Sequence, residues 1–360
     1  MKKNLLKRLP NLDVLRFILI VYVILIHLSQ LSLNQGLPNI NFLFENHKGN
    51  EAIDVFFAMS GFLIIRIIYK AKVKNRFSIR KFYMRRILKI FPLYYLIVIF
   101  GFVFYHALLP ILKIPFETNY NLVEGILYYT FFMANVFSRT YDVGGILGIL
   151  WSIAIEEQFY IIIAPFLFFI KKKRIFISLF LLFLVSFVAF HIEAFAVLRQ
   201  YKMEFFFIFF GGLIAILEEE KQLEFLKRFK VIPLAITILV VLYFFTSIFD
   251  FKTLWVYNLY ITVLFGLFIH AISINNHNVA IRNKKMIYYG EISYGLYLYH
   301  IIVINLIVFI FSKLQANFQM HDWITIILMH VLSLGLTIFV SHISFKYFET
   351  YFLILKEKFR

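Results

Sequence analysis

An all-helical, polytopic transmembrane bundle of about ten spans is what this sequence predicts, on composition, run length and charge placement. Of its 360 residues 62% are apolar and 20% aromatic, and the mean hydropathy is +0.82. A soluble domain does not need that much hydrophobe to fill its core. Apolar runs recur near the ~20 residues a spanning helix requires, at 12–32, 52–69, 90–110, 151–170, 175–195, 203–218, 231–248, 255–274, 289–311 and 323–345. With the N-terminus inside, the inner segments carry 28 of the 37 Lys and Arg and the outer loops seven. That asymmetry is the positive-inside pattern, so both termini are expected in the cytoplasm. It also explains the net charge of +17 without nucleic acid, which would need its cations on one folded surface. Ten spans leave no room for a soluble domain, so residues 1–360 are expected to form a single integral-membrane domain with no soluble C-terminal part.

Two polar residues of span 1 (LDVLRFILIVYVILIHLS) are the most informative, Arg16 and His27. A cation and an imidazole within one membrane helix are expensive and mark a functional site by default. Eleven residues apart, they share a helix face and lie ~16 Å apart along the axis. Lys2, Lys3, Lys7 and Arg8 precede this span with no small-residue cleavage site, so it should stay as an anchor. Span 2 opens near Asp54 and carries Ser60 and Gly61. The following inner loop, 70–89, holds nine Lys/Arg and no acid. It reads as topology plus attraction to anionic lipid, or as a phosphate site. Residues 122–138 are apolar, but a crossing there would put the KKKR at 171–174 outside, against the charge pattern. A re-entrant or interfacial element is expected instead. Span 4 has Glu156 and Glu157 just inside its start.

Depth arithmetic sorts these groups into two layers. Arg16, Arg66, Arg85, Arg86 and Lys89 lie toward the inner surface; His27, Asp54, Glu156 and Glu157 lie toward the outer half, with His27 and Glu156 at similar depth. Cations inside and proton-moving groups outside suit a donor that enters from the cytoplasm with its phosphates held behind its reactive end. Each residue also has a plainer reading. Arg16 can pair with Asp13 at i,i+3, the two glutamates can snorkel to water, and Ser60 can bond its own i−4 carbonyl, which is the reading favoured for it. His191, His270, His300, His330 and His342 read as packing residues. The chain has no cysteine, which excludes disulfides, thiolate metal sites and a thiol nucleophile; no metal is expected.

Five phrases occur in one order: Arg16 and His27 as R-x10-H, IDVFFAMSGFLI at 53–64, RRILKIFP at 85–92, WSIAIEEQFY at 151–160 and GEISYGLYLYH at 290–300. Together they resemble acyltransferase family 3, integral-membrane enzymes that O-acylate sugars of bacterial surface and exported glycans. The resemblance runs from residue 10 to about 355. It implies a bacterial inner-membrane enzyme using acyl-CoA, acetyl being the family's commonest acyl group, with a glycan acceptor, membrane lipids as surroundings and no nucleic acid partner. The family's essential Arg and His fall on Arg16 and His27, its acidic residue on Glu156 next to Glu157, its Asp on Asp54 and its Ser-Gly on Ser60 and Gly61. The R-x-x-R element departs, with Arg86 followed by Lys89, which keeps charge and loses the bidentate fork. The closing E-x-P phrase departs too, as Glu349-Thr350-Tyr351.

The mechanism this implies places the acyl-CoA phosphates near Arg16, Arg85, Arg86 and Lys89. The thioester approaches His27, which acts as general base on a sugar hydroxyl or carries the acyl group itself. A carboxylate, Glu156 first and Asp54 next, is expected to orient the imidazole. Two other classes stand beside it. A transporter or flippase for a glycan or lipid-linked sugar would want inverted repeats and paired broken helices, which the sequence does not display. A sensor without turnover has no positive sign.

Overall fold

In the computed structural model, described for residues 9–44, 48–229, 231–249, 251–273, 283–318 and 320–359, the chain folds as an all-helical polytopic membrane bundle. Each of the ten expected segments holds a helix: α1 (Pro10–Asn34), α2 (Gly49–Val73), α3 (Ile79–Val103), then α4 (Leu122–Thr130) and α5 (Ala134–Thr140), then α6 (Trp151–Phe169), α7 (Ile175–His191), α8 (Phe205–Glu219), α9 (Val231–Phe245), α10 (Leu254–Ser273), α11 (Lys284–Glu291), α12 (Ser293–Asn317), α13 (Asp322–Ser344) and α14 (Thr350–Lys356). Among the described residues eight helical stretches are long and apolar enough to cross a membrane alone. A ninth counts only if α8 is joined to residues 193–200 across an 84° bend. At 15 residues, α9 is ~22 Å long and falls short of the hydrocarbon thickness. The cations expected to precede span 1, Lys2, Lys3, Lys7 and Arg8, lie outside the described residues, as do residue 274 and the loop stretch 275–282.

One boundary differs from expectation. The basic stretch 70–89 is mostly helix: α2 runs to Val73 and α3 begins at Ile79 behind Ser78, whose hydroxyl accepts from the Lys81 backbone N–H at 3.4 Å. Lys and Arg are good helix formers, so the cations extend span 3 inward as a helical wall instead of a loop. Residues 122–140 split into α4 and α5, neither long enough to cross. Asn121 caps α4 by accepting from the N–H groups of Val123 and Glu124.

Glycine contacts set the packing that positions the site. A Cβ on Gly61 of α2 would lie 1.8 Å from the Ile208 carbonyl oxygen, and one on Gly211 of α8 would lie 1.9 Å from that of Ala58. The two backbones therefore touch, the small-residue contact that membrane helices use in place of a hydrophobic drive. Gly290, at the end of α11, admits the Asp13 carbonyl at a distance that would be 1.9 Å from a Cβ. This seats α1 against α11 and α12, which follows after one residue. Elsewhere on α2, Arg66 bonds Glu219 at 2.6 Å and Glu218 at 3.2 Å, while His270 and Ser273 reach Glu218. Arg66 thus ties α2, α8 and α10 together and is a structural cation.

Candidate active site

A cavity of about 860 Å³ opens between α1, α2, α3, α6 and α12. Its basic wall is one face of α3, where Lys81, Arg85, Arg86 and Lys89 recur at three- and four-residue steps. Arg16 of α1 joins them while bonded to Asp13 at 2.9 Å, so the intrahelical pair and the cavity position hold together. The C-terminal helix α14 packs along α3 and adds Lys356. Arg76, just before α3, completes a ring of cations around a cavity whose acids are Glu156 and Glu291. Of the expected donor-binding residues, all four line this one space.

Helix α6 presents Ser152, Glu156 and Tyr160 to the cavity, at i, i+4 and i+8 on one face. The Tyr160 hydroxyl donates to Glu156 Oε2 at 2.6 Å and contacts Ser60 Oγ at 2.5 Å. With the tyrosine proton directed at the carboxylate, Ser60 is the donor to Tyr160. Ser60 therefore reaches across to α6 instead of closing on its own i−4 carbonyl, which corrects the favoured expectation. The Arg86 guanidinium sits 5.0 Å from the Tyr160 ring centroid, a cation–π contact. Glu157, rotated ~100° around the same helix, is buried and absent from the cavity lining. Burial at that depth also overturns the snorkelling reading for Glu157.

His27 is half-buried and does not line the cavity. Its Nδ1 lies 2.9 Å from Nε2 of His300 on α12. His300 Nδ1 in turn bonds the Tyr297 carbonyl, and the Tyr297 side chain lines the cavity, hydrogen-bonded to Ser152 at 2.7 Å. The imidazole thus stands one turn of α12 beyond the cavity's Tyr297 end. The expected carboxylate partner is not there. Glu156 is bound to Tyr160, and the buried Asp54 carboxyl is hydrogen-bonded to Glu204 at the bend before α8. The reason is packing: α12 lies along α1 and brings His300 to His27, while the Glu156 carboxylate is taken by Tyr160 on its own helix. Among the described residues no cluster of His, Asp or Glu would hold a metal ion.

Sequence reasoning passed over Tyr160, Tyr297, Ser152 and the partnership of His300, although each lies inside a quoted phrase. The usable signals were the spacings Ser152/Glu156/Tyr160 and Tyr297/His300, which stack polar groups on one face of an otherwise apolar helix.

The family model described as an acyltransferase domain matches residues 9–342. The chain belongs to acyltransferase family 3. It is 30% identical over 168 residues to a peptidoglycan O-acetyltransferase, OatA, of Listeria monocytogenes, covering 45% of this chain and 24% of the relative. It is 24% identical to a Staphylococcus aureus protein carrying an O-acetyltransferase name, covering 98% of this chain and 58% of the relative. The chain therefore spans between about a quarter and three fifths of the length of these curated relatives. No solved structure matches.

Proposed function

We propose that this family member is a membrane O-acyltransferase that moves an acyl group, acetyl first, from acyl-CoA to a hydroxyl of a surface or exported glycan. The observation that carries the reading is the cavity: cofactor-sized at about 860 Å³, ringed by Arg16, Arg85, Arg86 and Lys89, and ending on the Tyr297 turn behind which His27 stands. Pockets for large ligands run to ~1,000 Å³. Arginine forks and lysine point charges are the groups that hold phosphates. The phosphates of the donor lie against α3 on the cytoplasmic side, and the thioester end points along α12 toward His27.

His27 serves as the general base on the acceptor hydroxyl, or accepts the acyl group itself. Glu156, with Tyr160 and Ser60 on it, supplies a polar wall beside the acyl end; Asp54 and Glu157 support the helices that carry it. The names of the relatives, one acting on peptidoglycan, favour a cell-envelope glycan as acceptor and the bacterial cell membrane as location.

The test uses purified protein in liposomes with labelled acetyl-CoA. Wild-type protein is expected to release free CoA thiol and to label an added glycan acceptor, and His27→Ala to lose both. Transfer retained in His27→Ala overturns the role of the imidazole. Glycan movement without CoA release would instead establish a transporter.

A further inference from the structure

The contact between His27 and His300 fixes more than an orientation. His300 Nδ1 faces the backbone carbonyl of Tyr297. A carbonyl oxygen only accepts, so the proton of neutral His300 must sit on Nδ1. Its Nε2 then carries a lone pair, directed at His27 Nδ1 across 2.9 Å. Two lone pairs facing each other would repel, so His27 must hold its own proton on Nδ1 and donate it. The rings are nearly parallel, 11° apart with centroids 5.2 Å apart. That separation, with the 2.9 Å nitrogen contact, suits an end-to-end N–H···N bond better than face-to-face stacking. His27 Nε2 has no hydrogen-bond partner among the described residues and the side chain is not closed off.

We propose that His300 is a positioning residue: it holds His27 in the Nδ1–H tautomer and leaves Nε2 as the proton-accepting nitrogen. This rests on the reading of His27 as the base. The Tyr297 carbonyl does for His300 what His300 does for His27, so one helix turn of α12 sets the tautomer of a residue on α1. The role resembles that of the carboxylate in a hydrolase triad, filled here by a neutral imidazole. In the step it serves, the acceptor oxygen bonds to the thioester carbon while its proton passes to Nε2. The carbon–sulfur bond then breaks, and the departing thiolate takes that proton.

Two measurements test this. In protein labelled with 15N-histidine, the His27 signals are assigned by their loss in His27→Ala. They are expected to show a protonated Nδ1 and a bare Nε2; a protonated Nε2 overturns the proposal, and this readout needs no His300 variant to fold. In turnover assays, His300→Phe keeps a ring but offers no acceptor. It is expected to lower kcat by ~10²–10⁴ with KM for acetyl-CoA unchanged. His300→Gln, whose carbonyl oxygen can accept from His27, should recover at least ~10-fold of that loss. A wild-type kcat in His300→Phe, or a Gln variant no better than Phe, overturns the proposal. Transfer retained in His27→Ala would overturn the reading of His27 as the base, and a wild-type protein that releases no CoA thiol would overturn the function itself, so these failures are told apart from that of the His300 proposal.

Discussion

Replacing Gly61 with Ala is the most direct test of how the site is held. The added Cβ would stand 1.8 Å from the Ile208 carbonyl oxygen, a backbone atom that no side-chain rotation can clear. Reaching a tolerable 3.0 Å requires α2 and α8 to part by ~1.2 Å, and overpacking of this kind costs ~1–3 kcal/mol. The displacement is not local in effect. Ser60 is the neighbouring residue, and its 2.5 Å contact with Tyr160 cannot absorb a shift of that size and remain a good hydrogen bond. Gly61→Ala should therefore lower both the thermal midpoint and the turnover of the solubilised protein. Gly211→Ala, facing the Ala58 carbonyl at 1.9 Å, should behave alike. Gly335→Ala is the control: nothing lies within 4 Å of its added Cβ, and removing a helix-interior glycine gains up to ~1 kcal/mol in helix propensity. Unfolding followed by intrinsic Trp and Tyr fluorescence reads all three. If Gly61→Ala melts no lower than Gly335→Ala, the backbone contact between α2 and α8 does not exist as described.

Two further substitutions probe the cavity. Arg86→Ala removes a lining guanidinium; hydrogen bonds to charged groups are worth ~1.5–3 kcal/mol, so KM for acetyl-CoA should rise ~10–100-fold. Arg86→Lys should recover part of it, and an unchanged KM in the alanine variant would remove Arg86 from donor binding. Tyr160→Phe deletes the hydroxyl between Ser60 and Glu156 while keeping the ring under Arg86. It should destabilise by ~1–3 kcal/mol through the polar groups left unpaired and reduce kcat more than it raises KM. A variant as stable and active as wild type would show that the Ser60–Tyr160–Glu156 chain has no role.

Much of the architecture was legible because it is local. Helix positions follow from apolar run length, and Arg85, Arg86 and Lys89 of the cavity wall were singled out from their own stretch of chain, whereas Lys81 joined them only in the structure. The helical nature of that stretch was missed because a basic run between two spans looks like a topological loop until something polar is packed against it.

Partners were a different matter. Nothing within span 1 reveals that His27 meets His300, 273 residues away, or that Ser60 reaches Tyr160 a hundred residues on. A polar group in an apolar helix announces that it needs a hydrogen bond, but which group supplies it depends on which backbones approach closely, and here three glycines, at 61, 211 and 290, decide that. The membrane class, the positions of the apolar helical segments and the cationic character of the stretch 70–89 belong to the sequence alone, since each is a property of consecutive residues. The tautomer-setting histidine pair, the separation of His27 from Glu156 and the Ser60–Tyr160–Glu156 chain belong to the tertiary structure, because rotation and seating of whole helices determine them.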